Sequence, residues 1–222
     1  MTYDKNKIFN LLKNYHFPKD FYNENVLDLL YELPDDNIYC EYGASKVTII
    51  SKHFKDFVIK IPFTGDKEMK KERFKYANSN LQHYYKNNKN LSCWDYCHTD
   101  VEIYNLAKEK NIEKYFAEIK LLGYCDKHPI YIQEKCKIFT EKELNSIETE
   151  KIKRLKEKLN SSSAEYSSSA WLLEFSNRYG ENELKKLTNF LDSFDISDLH
   201  KDNLGYNKKG EMVLIDYSGF ND

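Results

Sequence analysis

The sequence predicts an α+β fold in which three antiparallel strands and, after a helix, two further strands precede a mostly helical part. Short β-branched and aromatic runs occur in two groups, at 38–62 and 118–136, whereas the other apolar residues recur at helical spacing. Seven glycines and four prolines in 222 residues are too few for the frequent turns of an all-β sandwich or barrel. The length fits one compact domain or two packed lobes.

The first half of the chain predicts helices followed by a meander of three strands. Residues 1–33 contain apolar residues at helical spacing, and Pro34 ends this helical segment. After a turn at 35–37 the composition changes to runs of β-branched and aromatic residues. Gly43-Ala44-Ser45 and a polar turn at 52–56 interrupt these runs. The three predicted strands are Ile38–Tyr42, Lys46–Ser51 and Phe57–Pro62.

The second half predicts two more strands and several helices. A polar segment rich in lysine and asparagine, 64–90, is interpreted as a helix with an exposed loop whose lysines form a solvated face. The strands are EIKLLGYC and PIYIQEKC, at 118–125 and 129–136. The remaining predicted elements are helices at 99–111, about 140–159 and 181–194, a linker or loop at 160–169, and a final strand at Met212–Ile215.

Charge, hydropathy and composition narrow the class and the source of the protein. A net charge of −2 and a pI of about 6.3 do not indicate a nucleic-acid or membrane-surface binder. The apolar runs are far too short to span a membrane, and the N-terminus has no apolar signal core. We therefore expect a cytoplasmic protein. Its usage of Lys, Asn and Ile is typical of an AT-rich bacterial or phage genome.

The five cysteines are odd in number and scattered, which favours reduced thiols over disulfides. Cys93-x-x-x-Cys97-His98 invites a zinc interpretation, but no second ligand pair follows at the spacing of a zinc finger. Buried small thiols are the favoured interpretation.

Acidic and amide side chains near the end of the chain have a pattern that suits phosphoryl transfer. Asp198 and Asn203 lie in a loop after a helix, and Asp216 follows an apolar strand eighteen residues after Asp198. Phosphoryl transfer requires a carboxylate at the attacking hydroxyl, oxygen ligands for Mg²⁺ and a cation on the phosphates. Asp198 suits the first task, and Asn203 and Asp216 suit the second. Lys60 suits the third, because an ammonium group at the end of a buried strand needs anionic partners.

Three segments in this order resemble the protein-kinase-like superfamily. Val58-Ile59-Lys60 is similar to its third-strand lysine motif. The segment from Asp198 to Asn203 is similar to a catalytic loop of the form Asp-Leu-His-x-x-Asn, as in aminoglycoside phosphotransferases, choline-kinase-like and other atypical kinases. Asp216-Tyr-Ser-Gly219 resembles the metal-binding Asp-Phe-Gly segment. The alternative is a strand lysine and acidic turns that coincide in an Asp-rich chain.

The resemblance covers about residues 38–219 and implies a two-lobed protein-kinase-like fold. The implied parts are an N-terminal helical extension at 1–35, a five-stranded antiparallel N-lobe at 36–135 with an insertion at about 64–98, and a reduced helical C-lobe at 136–222.

The resemblance also implies roles for individual residues. Glu102 becomes the expected carboxylate partner of Lys60, in preference to Glu68 or Glu72. A rival interpretation makes Thr99 and Glu102 a capping box at a helix N-terminus. His200 is interpreted either as a contact of the γ-phosphate or as a structural residue.

Two further segments correspond to the nucleotide-binding parts of the family. Gly43 and Ser45 lie where a glycine-rich phosphate loop would be, although one glycine departs from the usual three and a hairpin turn is the alternative. The segment from Ile130 to Cys136 resembles the fifth strand that leads to the hinge, where backbone groups of Glu134 to Cys136 would bind adenine.

Departures from the family pattern limit what it implies about the acceptor. Ile196 replaces the usual histidine, Ser218 stands at the glycine position, and six residues follow Asp216, which leaves no activation segment. Peptide recognition would then use the N-terminal helices or residues 64–98.

The function expected from the sequence is that of a minimal atypical kinase. It would use ATP and Mg²⁺ and phosphorylate a hydroxyl group on a protein or small molecule, with no nucleic-acid or membrane partner. The alternatives are a catalytically silent kinase-fold protein that binds a nucleotide or a protein, and AMP transfer on the same fold.

Overall fold

The computed structural model describes residues 4–33, 38–43, 45–64 and 95–218. These residues form an α+β structure with seven α-helices, a five-stranded antiparallel sheet and a separate three-stranded sheet. The predicted α+β class and five-stranded antiparallel sheet are therefore confirmed. In the described ranges, no helix is both long enough and apolar enough to cross a membrane.

The helices and strands have the following bounds. The helices are α1 Lys5–Leu12, α2 Val26–Glu32, α3 Tyr96–Glu109, α4 Ser146–Leu159, α5 Ser162–Tyr166, α6 Ser169–Tyr179 and α7 Glu181–Ser193. The strands are β1 Ile38–Tyr42, β2 Lys46–Ser51, β3 Phe57–Pro62, β4 Ile119–Cys125, β5 His128–Glu134, β6 Lys137–Ile138, β7 Leu204–Tyr206 and β8 Met212–Leu214.

Two compact units divide the described residues. The first unit contains the described residues up to 64 together with 95–102 and 118–135, and the second contains 103–117 and 136–218. The five-stranded sheet belongs to the first unit, with strand order β1-β2-β3-β5-β4. The three-stranded sheet, β6-β7-β8, belongs to the second.

One face of the five-stranded sheet packs against the N-terminal helices. Alternate residues of a strand point to opposite faces, so Val47 and Ile49 of β2 face the same side as Ile59 and Ile61 of β3. These side chains share one hydrophobic cluster with residues of α1, α2 and the segment between them; these are Ile8, Leu12, Tyr15, Phe17, Phe21, Val26, Leu29 and Leu33. The predicted N-terminal helical segment therefore completes the core of the sheet.

Aromatic side chains organise the core of the second unit. Tyr115 packs edge-on against Phe175 of α6, with ring centroids 4.8 Å apart. Its hydroxyl donates a hydrogen bond of 2.8 Å to Glu183 of α7. Tyr217 is fully buried and donates a hydrogen bond of 2.9 Å to the carbonyl of Ala117.

The serine-rich segment at 160–169 differs from its expected linker structure. It folds into α5, where the Ser161 hydroxyl accepts a hydrogen bond from the backbone of Ala164 at 3.2 Å. Ser168 caps α6, a helix that the sequence analysis did not predict. Serine side chains are good N-caps, so the same composition that indicates a linker also starts two helices here.

Candidate functional site

Lys60 lies in the middle of the five-stranded sheet, on the face opposite the hydrophobic cluster. It pairs in register with Thr48 of β2 on one side and with Tyr131 of β5 on the other. Directly opposed residues of antiparallel strands share a face, so Lys60 and Tyr131 point away from the N-terminal helices. Lys60 is buried despite its charge. The predicted strand lysine is therefore part of a buried polar layer.

Among the carboxylates that the structure describes, Asp100 of α3 rather than Glu102 lies beside Lys60. The Lys60 Nζ is 3.9 Å from the Asp100 Oδ2, and the Lys46 Nζ is 3.6 Å from the same oxygen. The exposed fractions of the three side chains are 4% for Lys60, 7% for Lys46 and 0% for Asp100. The expectation of a Lys60–Glu102 pair is corrected accordingly. The Glu102 Oε1 lies 3.4 Å from the His98 Nε2, one helical turn earlier.

The start of α3 explains this change of partner. Asp95 caps the helix, because its Oδ1 accepts a hydrogen bond of 2.8 Å from the backbone N–H of His98. Thr99 therefore lies inside the first turn, and the alternative capping box of Thr99 and Glu102 is wrong. Residues two apart on a helix do not share a face, so Asp100 and Glu102 point in different directions.

Tyr131 adds a second link between the sheet and α3. Its hydroxyl donates a hydrogen bond of 2.5 Å to the Asp95 Oδ2. Burial raises the pKa of Asp95, and burial together with the adjacent Asp95 raises the pKa of Tyr131. Burial also raises the pKa of the fully buried Cys97 thiol, against the opposing charge of Lys46. These groups make the layer between the sheet and α3 charged and hydrogen-bonded rather than apolar.

The β1–β2 turn contains the predicted phosphate-loop residues. The backbone N–H of Gly43 donates a hydrogen bond of 3.2 Å to the Lys46 carbonyl, and the Ser45 carbonyl accepts one of 2.8 Å from Phe63. A Cβ atom at Gly43 would meet nothing within 4 Å. Packing therefore does not require glycine at position 43. Ala44, the next residue of the turn, lies outside the described residues.

The predicted adenine-binding segment has part of its backbone already engaged. The N–H of Glu134 donates a hydrogen bond of 2.8 Å to the Glu118 carbonyl, and the N–H of Lys135 donates one of 3.0 Å to Asp56. An adenine contact would therefore have to use other backbone groups of Glu134 to Cys136.

The second unit gathers the loop residues around one β-hairpin. The backbone N–H of Ile215, directly after β8, donates a hydrogen bond of 2.8 Å to the carbonyl of Asn203. The side-chain amide nitrogen of Asn203 donates another of 2.8 Å to the carbonyl of Asp198. Asp216 directly follows Ile215, so Asp198, Asn203 and Asp216 belong to one local structure.

The side chains of Asp198 and of the residues around this loop differ in exposure. Asp198 and His200 have side chains that are 49% and 53% exposed, and the His200 Nε2 is 3.5 Å from the Asp198 Oδ1. The His200 Nδ1 accepts a hydrogen bond from the backbone of Asp202 at 3.3 Å. Ser218 is buried, and its hydroxyl donates a hydrogen bond of 3.3 Å to the Asp216 Oδ1. The serine at the expected glycine position thus orients Asp216.

A cavity of about 500 Å³ lies in the second unit beside His200 and Lys201. Other lining residues include Lys142, Tyr166 and Ser168. Since the cavity adjoins the loop that carries Asp198, it offers space for a molecule next to this loop.

The described residues contain no group of three or more His, Cys, Asp or Glu side chains that could hold a metal ion. Cys97, one half of the zinc interpretation, is buried within α3. Cys93, Glu68, Glu72 and Gly219 lie outside the described residues, as does most of the predicted insertion at 64–98.

Sequence reasoning missed Lys46, Asp100 and Ser218. Lys46 and Lys60 are the charged residues of two strands that contain mostly apolar residues, and both side chains lie on the same face of the sheet. The signal available in the sequence for Lys46 was a lysine at the start of a predicted strand. Asp100 could be identified as the partner of Lys60 only after the first residue of α3 was known.

Comparisons with family models, with curated proteins and with solved structures found no match to this chain.

Proposed function

We propose that the chain is an ATP-dependent phosphotransferase that transfers the γ-phosphoryl group to a hydroxyl acceptor, with a protein as the preferred acceptor class. The observation that carries the proposal is the β7–β8 hairpin. The 2.8 Å hydrogen bond from Ile215 to Asn203 brings Asn203 beside the residue that precedes Asp216. A carboxylate, an amide and a second carboxylate, at Asp198, Asn203 and Asp216, are thereby gathered in the order that phosphoryl transfer uses.

Asn203 and Asp216 have the donor chemistry of a magnesium site. Mg²⁺ is commonly held by one or two protein carboxylates together with phosphate oxygens and water, so a cage of three acidic residues is not needed. Asp216 offers a carboxylate. Asn203 offers its amide oxygen, because its amide nitrogen already donates to the Asp198 carbonyl. When bound, Mg²⁺ would neutralise charge on the phosphate oxygens.

Asp198 has the role of orienting and deprotonating the acceptor. Its half-exposed carboxylate is open to a hydroxyl group from solution or from the adjoining cavity. In the proposed step the acceptor oxygen forms a bond to the γ-phosphorus, and the bond from this phosphorus to the β–γ bridging oxygen breaks. ADP leaves, and the hydroxyl proton passes to Asp198.

Lys60 of the first unit has the role of a cation for the nucleotide phosphates. Asp100 holds its ammonium group within 3.9 Å, in a buried layer where charge interactions are stronger than in water. This replaces the expected Glu102 as the residue that positions Lys60.

The test of this function uses ATP labelled separately at the γ and α positions, with Mg²⁺, the full chain and a lysate as the source of acceptors. Transfer of γ-label alone supports the proposal, and transfer of α-label supports AMP transfer instead. ATP binding with neither label transferred indicates a catalytically silent protein. Absence of both transfer and ATP binding would overturn the proposal and both alternatives that use a nucleotide.

Three variants divide the roles within the second unit. Asp216→Asn should lose Mg²⁺-dependent ATP binding, because Asp216 acts on the bound metal–nucleotide complex. Asp198→Asn should keep ATP binding and lose transfer, because Asp198 acts on the acceptor in the transition state. The matched control is Asp202→Asn in the same loop, whose side chain is 66% exposed and which has no assigned role. Equal loss of ATP affinity in the Asp198 and Asp216 variants would contradict these assignments.

A further inference from the structure

Lys46 is a second buried lysine beside the candidate phosphate-binding residue. Its Nζ lies 3.6 Å from the Asp100 Oδ2, slightly closer than the 3.9 Å of the Lys60 Nζ. Both distances exceed a hydrogen bond, so through this oxygen the carboxylate attracts both ammonium groups by charge rather than by a direct bond. One buried aspartate therefore orients two lysines.

The strand register explains why the two lysines meet. Lys46 pairs with Pro62 and Thr48 pairs with Lys60, and residues 46 and 48 point to the same side because they are two apart in β2. Lys46 and Lys60 are thus diagonal neighbours on the polar face of the sheet, within reach of long side chains. Lys46 also follows the β1–β2 turn, which contains the predicted phosphate-loop residues Gly43 and Ser45.

A pair of buried lysines is an expensive arrangement if it serves the fold alone. Two charges must be taken out of water, and apolar side chains at the same positions would avoid that cost. The cluster suits a ligand with several negative charges close together, since lysine is a flexible point charge that binds phosphate groups well. A nucleoside polyphosphate has this charge distribution.

We propose that Lys46 acts together with Lys60 as a two-cation site for the phosphate groups of the nucleotide, with Asp100 positioning both ammonium groups. This inference rests on the proposed function. It assigns the phosphate-binding role to a lysine of β2 as well as to the lysine of β3.

The experiment compares Lys46→Met, Lys60→Met and Lys52→Met by calorimetric titration with Mg-ATP and, separately, with inorganic tripolyphosphate. Lys52 is an exposed residue of the β2–β3 turn and serves as the matched control. Loss of one charge-assisted phosphate contact should weaken ATP and tripolyphosphate binding by about tenfold or more in both cluster variants. The Lys52 variant should bind both ligands as the wild type does.

Thermal melts separate a binding defect from an unfolded protein. If Lys46→Met does not fold, Lys46→Gln replaces it, because glutamine keeps a polar end without the charge. Lys46→Arg retains the charge and should bind ATP more tightly than Lys46→Gln does. Wild-type ATP affinity in folded Lys46→Met or Lys46→Gln would overturn the inference and leave the proposed function intact. A wild-type protein that binds neither ATP nor tripolyphosphate would overturn both.

Discussion

The two units hold their charged candidate residues in opposite ways. In the first unit, Lys46, Lys60 and Asp100 are almost completely buried, and they hold one another by charge between the sheet and α3. In the second unit, Asp198 and His200 are about half exposed, and the backbone bonds around Asn203 hold their loop. The same residue types therefore have different effects on stability in the two places.

This difference separates stability from chemistry. A buried charge that loses its partner strongly destabilises the folded state. An exposed ion pair contributes only about 1 kcal/mol or less to the free energy of unfolding. Substitutions in the first unit should therefore affect folding and binding together. Substitutions of exposed carboxylates in the second unit should affect chemistry and leave folding nearly unchanged.

The largest effect is expected for Asp100→Asn. Two buried ammonium groups would lose the carboxylate that they share, which should cost about 3–5 kcal/mol of unfolding free energy. Urea denaturation followed by circular dichroism measures this loss. Asp202→Asn in the exposed loop is the matched control and should stay within about 0.5 kcal/mol of wild type. Similar stability for the two variants would remove the contrast between the units.

The second largest effect is expected for Gly205→Ala in β7. A Cβ atom there would lie 2.5 Å from the carbonyl oxygen of Lys137 and 2.7 Å from the Ile215 Cδ1. The strands that support Asn203 would have to shift, at a cost of about 1–3 kcal/mol.

Gly43→Ala is the matched control for this prediction, because a Cβ at Gly43 would meet nothing within 4 Å. It should unfold at nearly the wild-type urea concentration. If Gly205→Ala is equally stable, then backbone packing is not what holds the loop of the second unit. Loss of ATP binding in a stable Gly43→Ala variant would instead support a role of this turn in binding phosphate.

The strands could be predicted from the sequence because their signal is local. β-Branched and aromatic residues are concentrated in short runs that turn residues interrupt, and the observed bounds of β1, β2 and β3 match the predicted ones. The proximity of Asn203 and Asp216 could also be predicted, because a short hairpin joins the segments that contain them. Both inferences required only neighbouring residues and a short turn.

The partner of Lys60 could not be predicted in this way because it depends on the rotation of a helix. A helix turns by about 100° per residue, so Asp100 and Glu102 point in directions about 200° apart. The choice between them is decided by where α3 begins, and that is set by Asp95 at the cap rather than by Thr99. Family resemblance favoured Glu102, whereas the local packing of α3 selects Asp100.

A pH-dependent effect is expected from His128 in the first unit. Burial lowers the pKa of His128, although its hydrogen bond of 2.8 Å to the Pro62 carbonyl opposes this shift. The ring also stacks on Phe17, with centroids 4.7 Å apart. In the folded state its pKa is below the value of 6.5 for an unperturbed histidine, so the unfolded chain binds the proton more tightly.

Stability should therefore be highest above pH 6.5 and should fall as the pH decreases below this value, through the pKa of the folded state. Urea titrations between pH 7.5 and pH 5 would measure it, and His128→Gln should remove this component of the pH dependence. The exposed His16, which contacts Asp126, is the matched control, and His16→Gln should retain the component. An unchanged pH profile in His128→Gln would assign the effect to other groups.

The smallest effect is expected for Glu102→Gln, on the same helix as Asp100. Glu102 contacts His98 one turn earlier, and both side chains are more than a quarter exposed, at 27% and 28%. Loss of such a partly exposed i,i+4 pair should change the unfolding free energy by about 0.5 kcal/mol or less. Binding of Mg-ATP should also be unchanged, because Asp100 rather than Glu102 positions the two lysines. Urea denaturation and calorimetry on the same sample measure both quantities. A folded Glu102→Gln variant with markedly weaker ATP binding would contradict the assignment of Asp100 as the carboxylate that positions the lysines.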